Sequence, residues 1–214
     1  MTMKRLTNLF ALLLIANFTF AACSRDNDDN MPDPSVTDAG IVINGVRWAT
    51  RNVDAPGTFA ATPESAGMFF QWNRRTGIST TTPAAGVPVE NWNTASIEGT
   101  TWVRANDPCP TGWRVPTMAE LSALRDAGYK WTTRNGVNGV YLGTYPHRIF
   151  LPALGGRGSF NGTLSGVGMH SDYWSNAAGD GTGARGLELD MERYSVNVFA
   201  GSRNSGSNVR CVAE

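Results

Sequence analysis

Hydrophobic and polar positions change their period several times along this chain. Lys4 and Arg5 precede an apolar run, "LFALLLIANFTF" from Leu9 to Phe20, and the small residues Ala21 and Ala22 then lead to Cys23. The next stretch, "SRDNDDNMPDPSVTDAG", carries almost no large apolar residue before Ile41, too little surface to fold by itself. From Ile41 the pattern alternates, with Ile41 and Ile43 before the turn-prone Asn44 and Gly45, which predicts a hairpin opening the folded domain. Residues 54–100 are rich in Gly, Pro, Thr and Ala. Only "GMFFQW" and "VENW" interrupt them, predicting long loops around one or two short strands. A helical period occurs once, where Met118, Leu121 and Leu124 share a face. Thr117 and Glu120 have the spacing of a capping box, and Gly128 supplies a stop. Beyond it, "GVYLG", "RIFLPAL", "YWSN", "GLELDM", "YSVNVF" and "NVRCV" are short β-prone runs between Gly and Asn turns, and "GLELDMERYSVNVF" reads as a hairpin turning at Glu192 and Arg193. The expected fold class is α+β, with irregular antiparallel strands, one or two short helices and long loops.

The basic, apolar and small-residue order of residues 1–22 is that of a secretory signal, and its apolar core is shorter than the roughly 20 residues a membrane-spanning helix needs. "AAC" resembles the lipobox of bacterial lipoproteins, in which the cysteine becomes the lipidated first residue, although Phe20 departs from the usual branched aliphatic residue. An ordinary cleaved signal is the other reading. Residues 23–39 then form a lipidated cysteine, Cys23, and a flexible acidic tether, and residues 40–214 form one domain. Asp26, Asp28 and Asp29 resemble the surface-export signal of Bacteroidota lipoproteins, a solvated linker being the alternative. The expected location is the outer membrane, lipid-anchored through Cys23 and facing the cell exterior.

Losing Lys4 and Arg5 with the signal leaves two more acidic than basic residues, so there is no electrostatic footprint for nucleic acid. With Cys23 lipidated, Cys109 and Cys211 are the remaining cysteines, and an oxidising exterior favours a disulfide between them over two free thiols or a metal pair.

The motifs "NGVRWATRNV", "GMFFQWN", "DPCPTGWRVPTMAEL", "IFLPALGGR", "YWSN" and "SGSNVRCV" resemble, in this order, the Fibrobacter succinogenes major paralogous domain of surface lipoproteins, over about Ile41 to Val212. That domain is similar to the formylglycine-generating-enzyme and C-type-lectin-like group. Gly112, Trp113, Arg114, Val115, Pro116 and Glu120 match the group's helix-start motif, and Val209, Arg210 and Cys211 match its last strand. The resemblance implies a C-type-lectin-like fold joining both ends of the domain, with Cys109 close to Cys211. It does not carry the oxidase activity, which needs a pair of reactive cysteines holding copper, where this chain has one cysteine in its last hundred residues. Nor does it carry calcium-dependent sugar binding, because the lectin tripeptides are reduced to the fragments "QWN" (Gln71 to Asn73) and "NWN" (Asn91 to Asn93) and no clustered carboxylates follow the tether.

The remaining chemistry is sparse. His147 and His170 have no metal-type spacing to acids, "HSD" from His170 to Asp172 is no triad because adjacent residues point apart, and "GTGARG" from Gly181 to Gly186 reads as a loop. No catalytic residue, cofactor or metal is expected. Trp48, Trp113 and Trp174 lie in fold motifs and are read as core, whereas Trp92, Trp102 and Trp131 lie in polar loops and are read as exposed. Binding residues concentrate on loops, which makes Trp131, Arg134, Tyr145, His147 and Asp172 the ligand-binding candidates. The expected function is non-catalytic binding of a polysaccharide or host glycan at the cell surface. The alternative is a structural or protein-adhesion module of a surface assembly, and a remote third is a formylglycine-generating-type oxidoreductase.

Overall fold

The computed structural model describes residues 38–95 and 97–214. The expected signal, the expected lipidation site Cys23 and the expected tether up to residue 37 lie outside the described residues. Asp38, assigned by sequence to the tether, belongs to the folded body. Its buried carboxylate accepts from the backbone N–H groups of Gly40, Thr50 and Arg51 and from the Thr50 hydroxyl.

In chain order, β1 (Ile41–Ile43) and β2 (Val46–Trp48) open the domain, and β3 (Met68–Phe70) and β4 (Gly77–Ser79) form a short hairpin among long loops. A single 3-10 turn at Arg104–Asn106 precedes β5 (Trp113–Arg114) and the helix α1 (Met118–Asp126). The strands β6 (Tyr129–Arg134), β7 (Val137–Thr144) and β8 (His147–Pro152) follow as a meander. After them come β9 (Leu154–Arg157), β10 (Leu164–Val167), β11 (His170–Ala178), β12 (Gly183–Asp190), β13 (Ser195–Ser202) and β14 (Val212–Ala213). The fold is α+β with strands predominant, as the sequence pattern implies.

Local chemistry accounts for the elements that the pattern predicts. Asn44 and Gly45 both take positive φ (49° and 79°), the geometry a two-residue hairpin turn requires, and β1 pairs with β2 accordingly. The capping box is closed in both directions. The Thr117 hydroxyl accepts from the Glu120 N–H at 3.2 Å, and the Glu120 carboxylate accepts from the Thr117 N–H at 2.7 Å. Leu121 and Leu124 are fully buried, and Met118 packs against the same cluster. Asp190 and Ser195 pair across the turn that contains Glu192 and Arg193.

Two features depart from the expectation. The sheet formed by β10, β9, β11, β12 and β13 includes a parallel contact, Ser171 with Gly155, between β11 and β9. "GTGARG" is a loop only at Gly181 and Thr182, because β12 begins at Gly183, which pairs with Ser202.

The two ends of the domain meet in one sheet, ordered β1, β2, β14, β5, in which Val212 lies between Trp48 and Arg114. Cys109 and Cys211 form a disulfide beside it, closing 102 residues of chain with their Cα atoms 6.1 Å apart. Arg210, fully buried, donates twice to the Asn52 side-chain oxygen and once each to the carbonyls of Ala49 and Phe150. Burial lowers its pKa to about 10. Burial likewise pushes Tyr173 up to about 12, and its hydroxyl donates to the Pro152 carbonyl.

Candidate functional site

Trp72 and Trp174 are wholly buried, and their indole N–H groups donate to the carbonyls of Ser175 and Phe70, at 3.1 and 2.8 Å. Trp72 thus ties the loop after β3 to β11, and Trp174 ties β11 to the end of β3. That anchoring leaves the neighbours of Trp72 in sequence to shape the surface above it. Gln71 donates from its amide to the carbonyls of Asn93 and Asn204, and the Asn73 side-chain oxygen accepts from the Val103 N–H. Asn204 in turn donates to the Thr94 carbonyl, so side-chain amides hold the loop around residues 91–98 in place.

Between these segments lies a cleft of about 590 Å³. Its floor and walls combine Gln71, Asn73 and Arg74 from one loop with Asn91, Trp92 and Asn93 from the other, and Ile78, Val89 and Ile97 add apolar surface. The fragments "QWN" and "NWN" therefore line the same cleft. Its size falls within the roughly 300–1,000 Å³ of small-molecule sites. Trp92 is half-buried. Its N–H donates to the Ser159 carbonyl at 3.0 Å, and its ring packs so closely on Gly162 (φ +68°) that a Cβ there would lie 2.2 Å from it. Arg157, buried, fixes that hairpin by donating to the carbonyls of Ser79, Pro83 and Gly162.

Polar capacity is left over in the cleft. Arg74 donates through Nη2 to the Ala95 carbonyl at 3.1 Å, while its Nε is buried with no acceptor among the described residues. Arg75 shares the wall and reaches the Asp107 carbonyl at 2.7 Å. Amides, guanidinium groups and one indole ring suit a polyhydroxylated ligand, with hydrogen bonds to its hydroxyls and apolar contact to its ring faces.

The residues singled out from sequence do not converge there. Trp131 and Arg134 lie on β6. Trp131 packs on the core, and Arg134 forms an ion pair with the buried Glu64. Tyr145 sits at the tip between β7 and β8, 81% exposed, with the Arg148 guanidinium 5.3 Å from its ring. His147 begins β8 and is exposed. Arg134 pairs with Val137 and His147 with Thr144, at opposite ends of β7, so about 20 Å of strand separates them. Asp172 belongs to a different sheet. Only Tyr145 and His147 are brought together.

The exposure expected of the loop tryptophans is corrected at Trp102, which is 7% exposed. Its ring lies edge-on to Trp72 with centroids 6.0 Å apart, and its N–H donates to the Asn106 carbonyl. Arg74, Arg75 and Asn91 were missed. The available signal was the repetition of an Asn-flanked tryptophan in two loops, which resembles a lectin motif too weakly to be read as a pair.

A second polar group of side chains lies on β11 and β12. Sequence spacing predicts no ligand set for either histidine, and the strand register places two carboxylates beside His170. Asp172, two residues along, shares its face, and Glu188 stands directly opposite Asp172. The three donor atoms lie within 4.8 Å of one another. Contact with Asp172 raises the pKa of the imidazole above its ordinary value, against the opposing effect of burial.

Comparison with protein-family models, with curated proteins and with solved structures finds no match for this chain.

Proposed function

We propose that this chain is a lipid-anchored surface protein of the outer membrane, with a C-type-lectin-like domain of the paralogous-lipoprotein type that binds an extracellular glycan without catalysis. The observation that carries this reading is the 590 Å³ cleft, where "QWN" and "NWN" meet around Trp92 and the Nε of Arg74, which has no acceptor among the described residues. Amide and guanidinium donors recognise sugar hydroxyls and carboxylates, and the apolar residues contact the ring faces. The disulfide occupies both cysteines of the described residues, so the copper-holding thiol pair of the oxidase reading has no counterpart there.

A protein-adhesion role has its own support. Tyr145, Phe160 and Tyr194, at 81%, 85% and 67% exposure, all stand on hairpin tips. A glycan array and polysaccharide pull-down with the full chain in detergent decide between the two. Glycan binding that falls at least about tenfold in Arg74→Ala, and also in Trp92→Ala, supports the cleft. No binding across a broad panel, or binding indifferent to both substitutions, overturns it in favour of adhesion.

A further inference from the structure

Along β11 the side chains alternate, with Ser171 and Tyr173 fully buried and His170 and Asp172 on the outer face. On β12, Leu187 and Leu189 point into the core, which places Glu188 and Asp190 on the same outer face. The antiparallel register sets His170 opposite Asp190 and Asp172 opposite Glu188. Three carboxylates and one imidazole thus occupy the corners of one cross-strand quartet.

One corner is already committed. Asp190 accepts from the Arg193 backbone N–H at 3.0 Å and forms an ion pair with the Arg193 guanidinium, closing the turn between β12 and β13. The other three side chains face one another. His170 Nε2 lies 3.3 Å from Asp172 Oδ1, and His170 Nδ1 lies 3.9 Å from Glu188 Oε1.

Two features of this group are unfavourable as they stand. Like charges directly opposite each other on paired strands repel, and Asp172 and Glu188 are such a pair. Asp172 Oδ1 is also buried, and the charge set against it is the His170 imidazole, with Nε2 at 3.3 Å, an ion pair only while the ring is protonated. A buried carboxylate oxygen held by so little costs free energy. A cation seated among the three side chains would relieve both.

We propose that His170, Asp172 and Glu188 form a binding site for a divalent transition-metal ion of the Zn²⁺ type. An imidazole nitrogen with two carboxylates is a mixed N/O donor set, which suits borderline first-row metals better than Ca²⁺ or Mg²⁺, whose sites are built from oxygens. Bonds of about 2.0–2.2 Å to each ligand require the donor atoms to close to roughly 3.3 Å from one another. The donor atoms lie within 4.8 Å of one another, a spread that the rotatable side chains would have to close on binding the ion. The three side chains are only 20–34% exposed, so the ion would sit in a shallow recess with at least one coordination position left to solvent or to a ligand.

Zn²⁺ itself is the probe. The full chain in detergent is stripped with a chelator, dialysed against Zn²⁺ at submillimolar concentration, and its bound metal counted by elemental analysis. Isothermal titration gives the affinity, and Co²⁺ substitution adds an absorption signature that reports nitrogen ligation. About one retained equivalent is expected. Loss of a direct ligand in His170→Ala should weaken binding by more than the roughly 10–100-fold that loss of an outer-shell partner costs. Glu188→Gln keeps the side chain's shape, removes the charge and should weaken binding in the same direction. A substoichiometric metal content, or an affinity unchanged in both variants, overturns the proposal and leaves the imidazolium as the neutralising charge.

Discussion

The disulfide side of the domain and the Trp92 cleft are both rich in polar side chains, and they use them in opposite ways. Beside the disulfide, polarity is spent on the protein's own backbone. Arg210 directs its donors to Asn52, Ala49 and Phe150, and Asp107 accepts from the N–H groups of Cys109 and Val115 at 2.9 and 3.0 Å. Burial pushes the Asp107 carboxyl above its usual value in spite of those bonds. In the cleft, Gln71 and Asn73 serve the backbone too, but Arg74 Nε is left without an acceptor among the described residues. Polar groups satisfied within the fold hold its shape, whereas those left over and gathered around an aromatic ring are what a ligand can meet.

That contrast breaks most readily on the disulfide side. Cys109→Ser with Cys211→Ser opens a loop spanning 102 residues and should cost about 4–5 kcal/mol in the chain-entropy account, read as a lowered denaturant midpoint. Loss of much under 1 kcal/mol would show that the β2–β14–β5 contacts suffice without it.

Gly162→Ala reaches the cleft without touching its polar groups. The new Cβ would meet the Trp92 ring at 2.2 Å on a backbone at φ +68°, so about 1–3 kcal/mol of stability and a shifted tryptophan emission are expected. Unchanged emission would mean that the ring stays in place and the backbone at residue 162 shifts instead.

Glu120→Gln tests the capping box through pH. Burial disfavours the Glu120 carboxylate, but hydrogen bonds from Arg114 and from Thr117 outweigh it, and the pKa lies below the ordinary 4.5. A depressed carboxyl pKa stabilises the fold above the unfolded value, and that contribution is lost as pH falls through the folded one. The variant should be weaker by about 1 kcal/mol near neutrality. Thermal melts of the two proteins should converge as the pH drops below 4.5, and parallel curves would refute the coupling.

The smallest stability effect belongs to Arg74→Ala. It loses one exposed hydrogen bond to Ala95 and should change stability by no more than about 0.5 kcal/mol, measured by the same denaturation, while lowering the proposed glycan binding at least about tenfold. A large stability loss would move Arg74 to the architectural side of the comparison.

Features governed by neighbours in sequence are legible in the chain itself. Asn44–Gly45 dictates a tight turn, Thr117 and Glu120 are spaced to cap a helix start, and the alternation around Leu187 and Leu189 marks a strand with one buried face. The disulfide pairing follows from counting cysteines in an oxidising setting. Position in three dimensions is not legible where it depends on segments far apart in the chain. Trp102 lies in a polar loop, yet it is buried because Trp72 lies edge-on to its ring. Trp131 and Arg134, likewise read as surface contacts, are taken up by the core and by Glu64.

The sequence alone determined the helix start, the β1–β2 and β12–β13 hairpins and the cysteine pair, because each rests on local backbone preference or on simple arithmetic. Only the tertiary structure joined "QWN" to "NWN" and set Glu188 opposite Asp172. Strand register and loop packing are long-range outcomes of burying Trp72, Trp174, Leu187 and Leu189, and no single segment records which surface residues that burial will bring together.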